Sequence, residues 1–479
     1  MSVHSLFERQ AQSVFKVFSR MAFGAILPAA VLLFAGTATA QEQSTWKAGV
    51  AAVKVTPQGP IWQVGFAARS KGPSDGVDTD LYVKALAIQD GSSKPLVIVT
   101  SDLIGFGKNL ADIIAERCQK KYGIERDHLV LNSSHTHGGP SLSLEEQPRG
   151  SKRSPAEQKV VVDYTKGLLD KVVDVVGRSI ENLSPAVLQF DQGLAGFAVN
   201  RRRSRPNTRQ FPGPVDQDVP VLAVRAPNGD LKAILFGYAC HATTLETYKI
   251  NADYPGYAQT ALEKMYPGAV AMFMQGCGAD SNPLPRFHSN DPKLIAQSME
   301  LCQMYGRVLA FAVDAVLRGK MNTVKGPLST ALEYVDIPFE PLPSRQLLQE
   351  RLKTTEENRR SQVEKLIKSL DEGKKLPERY PYPIQVCYFG SGLKLIVLAG
   401  EVVVDYSLRL KSLYGYDDTW VAGYSNEMMF GYVPSKRVAL EGGYEARGGA
   451  GGAFSTAVEE TIIEKVDQVV ERTKLASRP

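Results

Sequence analysis

The sequence predicts an α/β (α+β) fold in which helices cover layered, mixed β-sheets. Short apolar or β-branched runs bounded by turn residues recur along the chain and are typical of buried strands. Amphipathic segments with helix-capping residues lie between them, an alternation that favours helices packed over sheets. The 479 residues are 43% hydrophobic and 22% charged. This composition is ordinary for a globular protein, and the chain is long enough to bury a large core.

The predicted strands are the runs at 48–56, 82–89, 95–102, 128–134, 219–226, 231–239 and 269–275. A first helix is predicted to begin after Ser154, because serine, Pro155 at the first position and Glu157 at the third form a capping box. Its apolar stripe comprises Val161, Tyr164, Leu168, Val172 and Val175. A second helix is predicted to begin in the same way at Asp291 and Pro292.

Residues 341–380 are much more charged than the rest of the chain. This segment is predicted to form one or two exposed helices, a charged helical insertion that lies on the main body. A solvated face is more common for such a segment than a partner-binding arm. The sequence shows no internal repeats and no long linker, so we predict one large domain over residues 41–479.

The first forty residues resemble a signal peptide. Arg9, Lys16 and Arg20 precede an apolar stretch at 21–34, and a small-residue pattern ends at Ala40. We expect cleavage near Ala40 and an exported protein, periplasmic or secreted. An uncleaved signal anchor is the alternative, although the apolar stretch is short for a membrane span.

Charge and cysteine content exclude two classes of function. The net charge of +5 is spread along the chain, whereas nucleic-acid binding needs a clustered basic surface. The five cysteines form no CxxC pair, which argues against a cysteine metal site. Buried free thiols are expected, and one disulfide remains the alternative. The cysteines are Cys118, Cys240, Cys277, Cys302 and Cys387.

Two of the six histidines, His135 and His137, directly follow a predicted strand. If the backbone stays extended there, both side chains point the same way. Two imidazoles directed at one point indicate a metal ion, or a metal ligand beside an acid/base group. Two polar loop residues are the alternative interpretation.

His241 ends another predicted strand, and functional groups in α/β sheets gather at the carboxyl ends of strands. Further ligands would be needed, and the candidates are Glu401 and the tyrosines of 423–446. Spacing alone does not separate Glu401 from Asp102, Asp253 or Asp280.

Seven motifs together resemble the neutral, non-lysosomal ceramidase family. They are NSSHTHGGP, AVNRRRSRP, CHATTLE, NADYPGYAQ, QGCGADSNPLPR, AGEVVVD and YSNEMMFGYVPSKRVALEGGYEA. They occur in that family's order over most of residues 48–460. The resemblance implies an enzyme that hydrolyses the amide of N-acylsphingosine at a zinc ion. The expected partner is a small lipid substrate, ceramide or another N-acyl compound, reached through transient contact with a membrane surface.

The resemblance also implies roles for individual residues. The zinc ligands would be His135, His241, Glu401 and Tyr432. His137 would lie beside the zinc-bound water and move its proton to the leaving amine. Arg201 and Tyr444 would donate to the oxyanion, an effect worth roughly 3 to 4 kcal/mol per donor in other hydrolases. Because the ligand histidines must be neutral, we expect a neutral to alkaline optimum.

Ser281 is the remaining candidate catalytic residue. It aligns with a serine that has been proposed as a nucleophile in the family, but its neighbours read GADSNP instead of GDVSPN. No GxSxG elbow surrounds it. Direct attack by zinc-activated water is favoured, with Ser281 as a substrate contact or structural residue.

The chain departs from the family's pattern at three places. GGP follows the histidine pair where SGP is usual, and CHATTLE differs after His241. After a glycine run at 447–456, the sequence continues for one predicted helix and then ends, without the immunoglobulin-like domain of the well-known ceramidases. A zinc amidase or esterase acting on another substrate is therefore one alternative, and a non-catalytic exported zinc-binding protein is another. Retention of His137, Arg201 and Tyr444 favours an enzyme.

Overall fold

The computed structural model describes residues 46–476, apart from 67–68, 70, 92–93, 147–152, 203–212, 290, 342–343, 355–356, 374–376, 391, 429–430 and 448–451. These residues belong to one unit that spans Ser44–Pro479. The predicted signal peptide lies outside the described residues, so cleavage near Ala40 stays a prediction.

The predicted strands are present, with ends that differ by one or two residues. The strands are β1 (Trp46–Lys54), β2 (Gly76–Val77), β3 (Tyr82–Asp90), β4 (Leu96–Ser101), β5 (Leu129–Ser133), β6 (Ser184–Leu194), β7 (Ala198–Asn200), β8 (Asp218–Arg225), β9 (Leu231–Tyr238), β10 (Lys249–Ile250), β11 (Val270–Gln275), β12 (Ser281–Pro283), β13 (Asn322–Val324), β14 (Leu328–Pro338), β15 (Arg379–Phe389), β16 (Leu393–Ala399), β17 (Glu401–Val402), β18 (Thr419–Ser425) and β19 (Tyr432–Val433).

Both capped helices begin where the sequence predicts. Ser154 and Glu157 form the reciprocal hydrogen bonds of a capping box, and Asp291 accepts from the backbone N–H of Lys293. The helices are α1 (Lys108–Tyr122), α2 (Pro155–Glu181), α3 (Asp253–Met265), α4 (Pro292–Arg318), α5 (Arg345–Thr354), α6 (Glu357–Asp371), α7 (Val404–Tyr414), α8 (Lys436–Glu441) and α9 (Val458–Ala476).

One mixed sheet of thirteen strands organises the molecule. Its order is β11-β9-β8-β6-β1-β3-β4-β5-β18-β16-β15-β14, with β13 beside β6. β4 and β5, β9 and β11, and β16 and β18 pair in parallel, while the other neighbours in this sheet are antiparallel. The predicted mixed α/β fold is confirmed.

The two halves of this sheet face each other across a shared apolar core. Met272 of β11 belongs to the same buried cluster as Leu86 of β3 and Trp420 of β18. Gly237 of β9 packs so closely on Trp420 that an added Cβ would lie 2.8 Å from its ring. Helices cover the outer faces: α1 and α2 pack over one cluster, α3 and α4 over a second, and α7 and α9 over a third. The result is a layered arrangement of helix, sheet, sheet and helix.

The charged segment forms α5 and α6. Arg345 at the start of α5 is 2.5 Å from Asp371 at the end of α6, so an ion pair joins the two ends of the hairpin. Leu348 is buried, whereas Leu347 beside it is exposed.

The cysteines behave as expected. None of the five, all of which lie in the described part of the chain, forms a disulfide, and each is buried. Within the same described ranges, no helix is both long enough and apolar enough to cross a membrane.

Candidate metal centre and active site

Two of the predicted histidines follow the ends of β5 and β9. His135 has a φ of 56°, so the backbone leaves the extended conformation at this residue. The condition of an extended backbone after the strand is therefore not met. The turn nevertheless brings the rings of His135 and His137 to 5.0 Å, and that of His241 lies 5.2 Å from His135.

A short parallel pairing supplies the carboxylate and the phenol. β17 and β19 pair so that Glu401 is opposite Tyr432, and the backbone N–H of Glu401 donates to the carbonyl of Gly431. The ring of Tyr432 stacks on that of His241 at 6.5 Å. Glu401, which is 160 residues after His241 in the sequence, and Tyr432 thus reach the same point as His241.

Glu401 faces the Nε2 atoms of two imidazoles. Its Oε2 is 3.2 Å from Nε2 of His241 and 3.5 Å from Nε2 of His135. In both rings the other nitrogen, Nδ1, is bonded to a backbone carbonyl, that of Ile104 at 2.7 Å and that of Gly278 at 2.8 Å. A carbonyl can only accept, so each Nδ1 carries a proton, and in the neutral form of each ring Nε2 presents a lone pair.

This arrangement fits a bound cation. Burial lowers the pKa of His241 to about 4, so its ring is neutral at pH 7. Burial favours the neutral acid, but imidazoles protonated at Nε2 hold the pKa of Glu401 well below its usual range. When both rings are neutral, two lone pairs and a carboxylate oxygen face one another and repel unless a positive charge lies between them. Tetrahedral zinc with ligands at 2.0 to 2.1 Å separates them by about 3.3 Å, close to both observed distances.

His137 lies at the edge of this group. One ligand atom each from His135, His137 and His241 lies within 4.8 Å of the other two, so a three-histidine site is geometrically available. Both ring nitrogens of His137 are buried and lack a hydrogen-bond partner among the described residues. Burial, and then the two neighbouring histidines, lower the pKa of His137 well below its usual value. The geometry therefore supplies a neutral imidazole beside the candidate metal centre.

Gly65, Phe66 and Arg69 surround His137. Phe66 contacts its ring edge-on at 4.6 Å, and the guanidinium of Arg69 donates to the His137 carbonyl. Gly65 has a φ of 107°, and a Cβ there would lie 2.4 Å from Cγ of His137. Only glycine leaves room for the imidazole at this point.

Arg201, Tyr432 and Tyr444 form the opposite side of the site. The guanidinium carbon of Arg201 lies 5.4 Å from the ring centre of Tyr432 and 5.3 Å from that of Tyr444. The two phenol rings meet edge-on at 5.2 Å. Tyr444 is 47% exposed, so this side opens to solvent.

The sequence predictions missed Glu445 and included Tyr424 only as one of the candidate tyrosines of 423–446. Glu445 is buried, and its carboxylate is 2.6 Å from both Nε of Arg201 and a terminal nitrogen of Arg202. Tyr424 packs 4.7 Å from the ring of His135. Glu445 directly follows the predicted site residue Tyr444 in the segment 423–446, and this position is a signal that could have identified it.

Ser281 lies beside the candidate metal centre, but no described residue accepts a hydrogen bond from its hydroxyl as a base would. Its carbonyl accepts from the backbone N–H of His241, and it pairs with Asn200 in the β7–β12 ladder. Its hydroxyl is buried and makes no hydrogen bond to any described residue. This geometry provides no group that would activate Ser281 as a nucleophile.

A groove with both polar and apolar walls opens next to His135 and Glu401. Its volume is about 290 Å³, close to the lower limit for small-molecule sites. Asn109, Ser141, Ser143 and Glu145 contribute further polar groups to its lining. The apolar lining residues are Val64, Ile104, Leu110, Leu142, Leu144 and Met428.

Comparison with known sequences identifies relatives of the chain. It is 26% identical to a neutral ceramidase of Drosophila melanogaster over 270 residues, which are 52% of this chain and 35% of that protein. It is 25% identical to a neutral ceramidase of Drosophila pseudoobscura pseudoobscura over 245 residues, 47% of this chain and 33% of that protein. The matched segment thus spans about a third of these relatives' length.

Solved structures share the fold. A neutral ceramidase from Pseudomonas aeruginosa matches with a TM-score of 0.69 at 17% identity, covering 91% of this chain and 76% of that one. A ceramidase complexed with C2 gives a TM-score of 0.67 at 16% identity, covering 90% and 75%. The family model "Neutral/alkaline non-lysosomal ceramidase, N-terminal" matches residues 46–358. The chain therefore belongs to the neutral/alkaline non-lysosomal ceramidase family.

Proposed function

We propose that this protein is a zinc-dependent hydrolase that cleaves the amide bond of ceramide into fatty acid and sphingosine. The observation that carries the proposal is the convergence of two imidazole lone pairs and one carboxylate oxygen, at separations suited to tetrahedral zinc. Family membership supports ceramide as the substrate class. Proteins named as neutral ceramidases are similar to this chain in sequence or in fold.

The ligands in this proposal are His135, His241, Glu401 and Tyr432. Zinc held there supplies an acidified water and a Lewis acid for the substrate carbonyl. The backbone carbonyls of Ile104 and Gly278 orient the two imidazoles, as supporting groups commonly do for histidine ligands of metals.

His137 acts as the proton carrier. Its ring is neutral at pH 7 and its nitrogens make no other hydrogen bond within the described residues, so it is able to accept a proton from the attacking water. It then delivers that proton to the nitrogen of the departing sphingosine. Phe66 limits the approach of bulk water to one edge of the ring.

Arg201 and Tyr444 stabilise the negative charge that develops on the carbonyl oxygen. Burial alone would lower the pKa of Arg201, but Tyr432 and Glu445 outweigh burial and keep it above its usual value. The guanidinium therefore remains a cationic donor throughout the reaction.

The groove beside His135 offers space for part of a lipid substrate. Its aliphatic side chains would contact a hydrocarbon chain and its polar groups the head of the substrate, while the amide lies at the candidate metal centre.

Fatty-acid release from a labelled short-chain ceramide tests the proposal directly. Release should require zinc, disappear with a chelator and return when zinc is restored. A protein that binds one zinc per chain yet releases no fatty acid would contradict ceramide as the substrate. Other N-acyl and ester compounds would then be assayed at the same site.

Two substitutions separate metal binding from catalysis. His135→Ala should lose both zinc and activity because a ligand is removed. Tyr444→Phe should keep zinc while the rate falls by about a hundredfold, the effect of losing one oxyanion donor. Zinc content by mass spectrometry and initial rates measure the two effects. A fully active Tyr444→Phe enzyme would show that Tyr444 has no oxyanion role.

A further inference from the structure

The buried carboxylate of Glu445 joins the segment that follows α8 to Arg201 and Arg202, the two arginines that follow β7. Glu445 is 3% exposed. One of its oxygens is 2.6 Å from Nε of Arg201, and the other is 2.6 Å from a terminal nitrogen of Arg202. Short, charge-assisted hydrogen bonds of this type are the stronger ones in proteins.

Arg202 is bound on a second side. It also donates to the carboxylate of Glu441 at 3.0 Å and to the carbonyl of Gly442 at 2.8 Å. Arg202 thus connects α8 and the glycines that follow it to β7, and Glu445 completes that connection. The carboxylate has a fixed position from which it acts on Arg201.

The Arg201 guanidinium lies against two phenol rings, those of Tyr432 and Tyr444. The side chain of Tyr432 also forms a hydrogen bond with Arg201. The hydrogen bond from Nε of Arg201 to Glu445 is short and directional, and with the Tyr432 contact it restricts the rotation of the guanidinium.

We propose that Glu445 is a positioning residue that fixes the Arg201 guanidinium for the substrate carbonyl. The inference rests on the proposed function, in which Arg201 faces that carbonyl. Glu445 does not touch the substrate and acts through Arg201.

The charge state of Glu445 agrees with this role. Burial alone would raise the pKa of Glu445, but the two guanidinium groups outweigh it and hold the pKa below its usual value. The carboxylate is therefore ionised in the pH range in which the ligand histidines bind metal.

A double-mutant cycle tests the proposal. Glu445→Gln should lower kcat between about tenfold and a hundredfold, since misplacing a catalytic group by about 1 Å costs roughly this much, and should leave KM within about twofold. In an Arg201→Lys background the same change should cost less than about twofold, because the group that Glu445 positions is already gone.

Glu460→Gln provides a matched control. Glu460 makes a two-pronged ion pair with Arg409 at 2.8 and 2.7 Å, and its side chain is 50% exposed. Removing that charge should leave kcat and KM unchanged. Zinc content should equal that of the parent protein in both glutamine variants. If Glu445→Gln does not fold, Glu445→Asp, which keeps the charge on a shorter arm, enters the same cycle.

The outcomes are distinct. Parent-like kcat in Glu445→Gln, or losses that multiply fully with Arg201→Lys, would overturn the positioning role. If the parent protein releases no fatty acid from ceramide, the proposed function fails instead. The cycle is then run on the dissociation constant for octanoate, whose carboxylate presents oxygens like those of the product. Coupling between Glu445 and Arg201 in octanoate binding would still support the inference, and independent effects would overturn it.

Discussion

At the scale of single residues, Gly65 determines where the imidazole of His137 lies. An added Cβ at Gly65 would lie 2.4 Å from Cγ of His137, so Gly65→Ala should displace the ring and lower kcat by about tenfold to a hundredfold. Gly72→Ala is the matched control, since Gly72 also has a positive φ, 154°, but nothing within 4 Å of the added Cβ. Both variants pay the backbone strain of a positive φ, and only Gly65→Ala should lose rate. Equal kcat values in steady-state assays would rule out this steric role.

The sequence predicts part of the site at this scale and leaves part open. His135 and His241 were identifiable because each follows an apolar strand. Glu401 was not separable from its rivals, and the structure gives the physical reason. The carboxylates of Asp102 and Asp280 accept hydrogen bonds from the backbone N–H groups of Tyr82 and Val404, respectively. The carboxylate of Asp253 likewise accepts hydrogen bonds from the backbone N–H groups of Leu245 and Tyr254. Which carboxylates are engaged in this way depends on tertiary contacts that no local pattern reports.

At the scale of elements, α7 is held in place by a buried charge cluster. Lys411 of α7 is 2.7 Å from Asp216 and 2.8 Å from Asp218, and the Lys411 and Asp216 side chains are 3% and 6% exposed. Ser407, one turn earlier, also donates to Asp216. This cluster anchors the helix that begins directly after the strand of Glu401.

Lys411→Met should therefore destabilise the fold by about 3 to 5 kcal/mol, because it leaves the buried Asp216 carboxylate without its cation. Lys159→Met on α2 removes an exposed partner of Asp163 and should cost less than about 1 kcal/mol. Denaturant unfolding of the two variants measures the difference. A Lys411→Met protein as stable as the control would show that the cluster contributes nothing net.

Long elements were predictable and short ones were not. β1, β3 and α2 have enough residues for a period of alternation or an apolar stripe. β17 and β19 contain two residues each, and they exist because Glu401–Val402 meets Tyr432–Val433 in the folded chain. The same is true of the three-residue pair β7 and β12, which places Arg201 beside Asp280 and Ser281. Much of the site is built on these short pairings.

At the scale of the whole molecule, zinc binding should stabilise the fold. The proposed ligands come from loops after β5 and β9 and from β17 and β19, so an unfolded chain cannot present them together. Zinc at about a thousandfold excess over its dissociation constant should add about 4 kcal/mol to the free energy of unfolding. Differential scanning calorimetry with and without zinc checks this increment, which His135→Ala should abolish.

His137→Ala resolves which histidines bind the ion. With His135, His241, Glu401 and Tyr432 as ligands, this variant should keep the full zinc-induced rise in melting temperature while losing activity. Loss of that rise would instead favour the three-histidine set, in which His137 is a ligand.

The sheet order also bears on how this protein can be divided. The family match ends at residue 358, yet β15, β16 and β18 follow it and complete the sheet beside β5. A fragment cut there would leave β5 as an open edge strand, with its backbone groups available to another chain. The apolar layer shared with Trp420 would face water. Expression of 46–358 alone should thus give aggregates rather than a smaller enzyme, because the family match ends inside one compact structural unit.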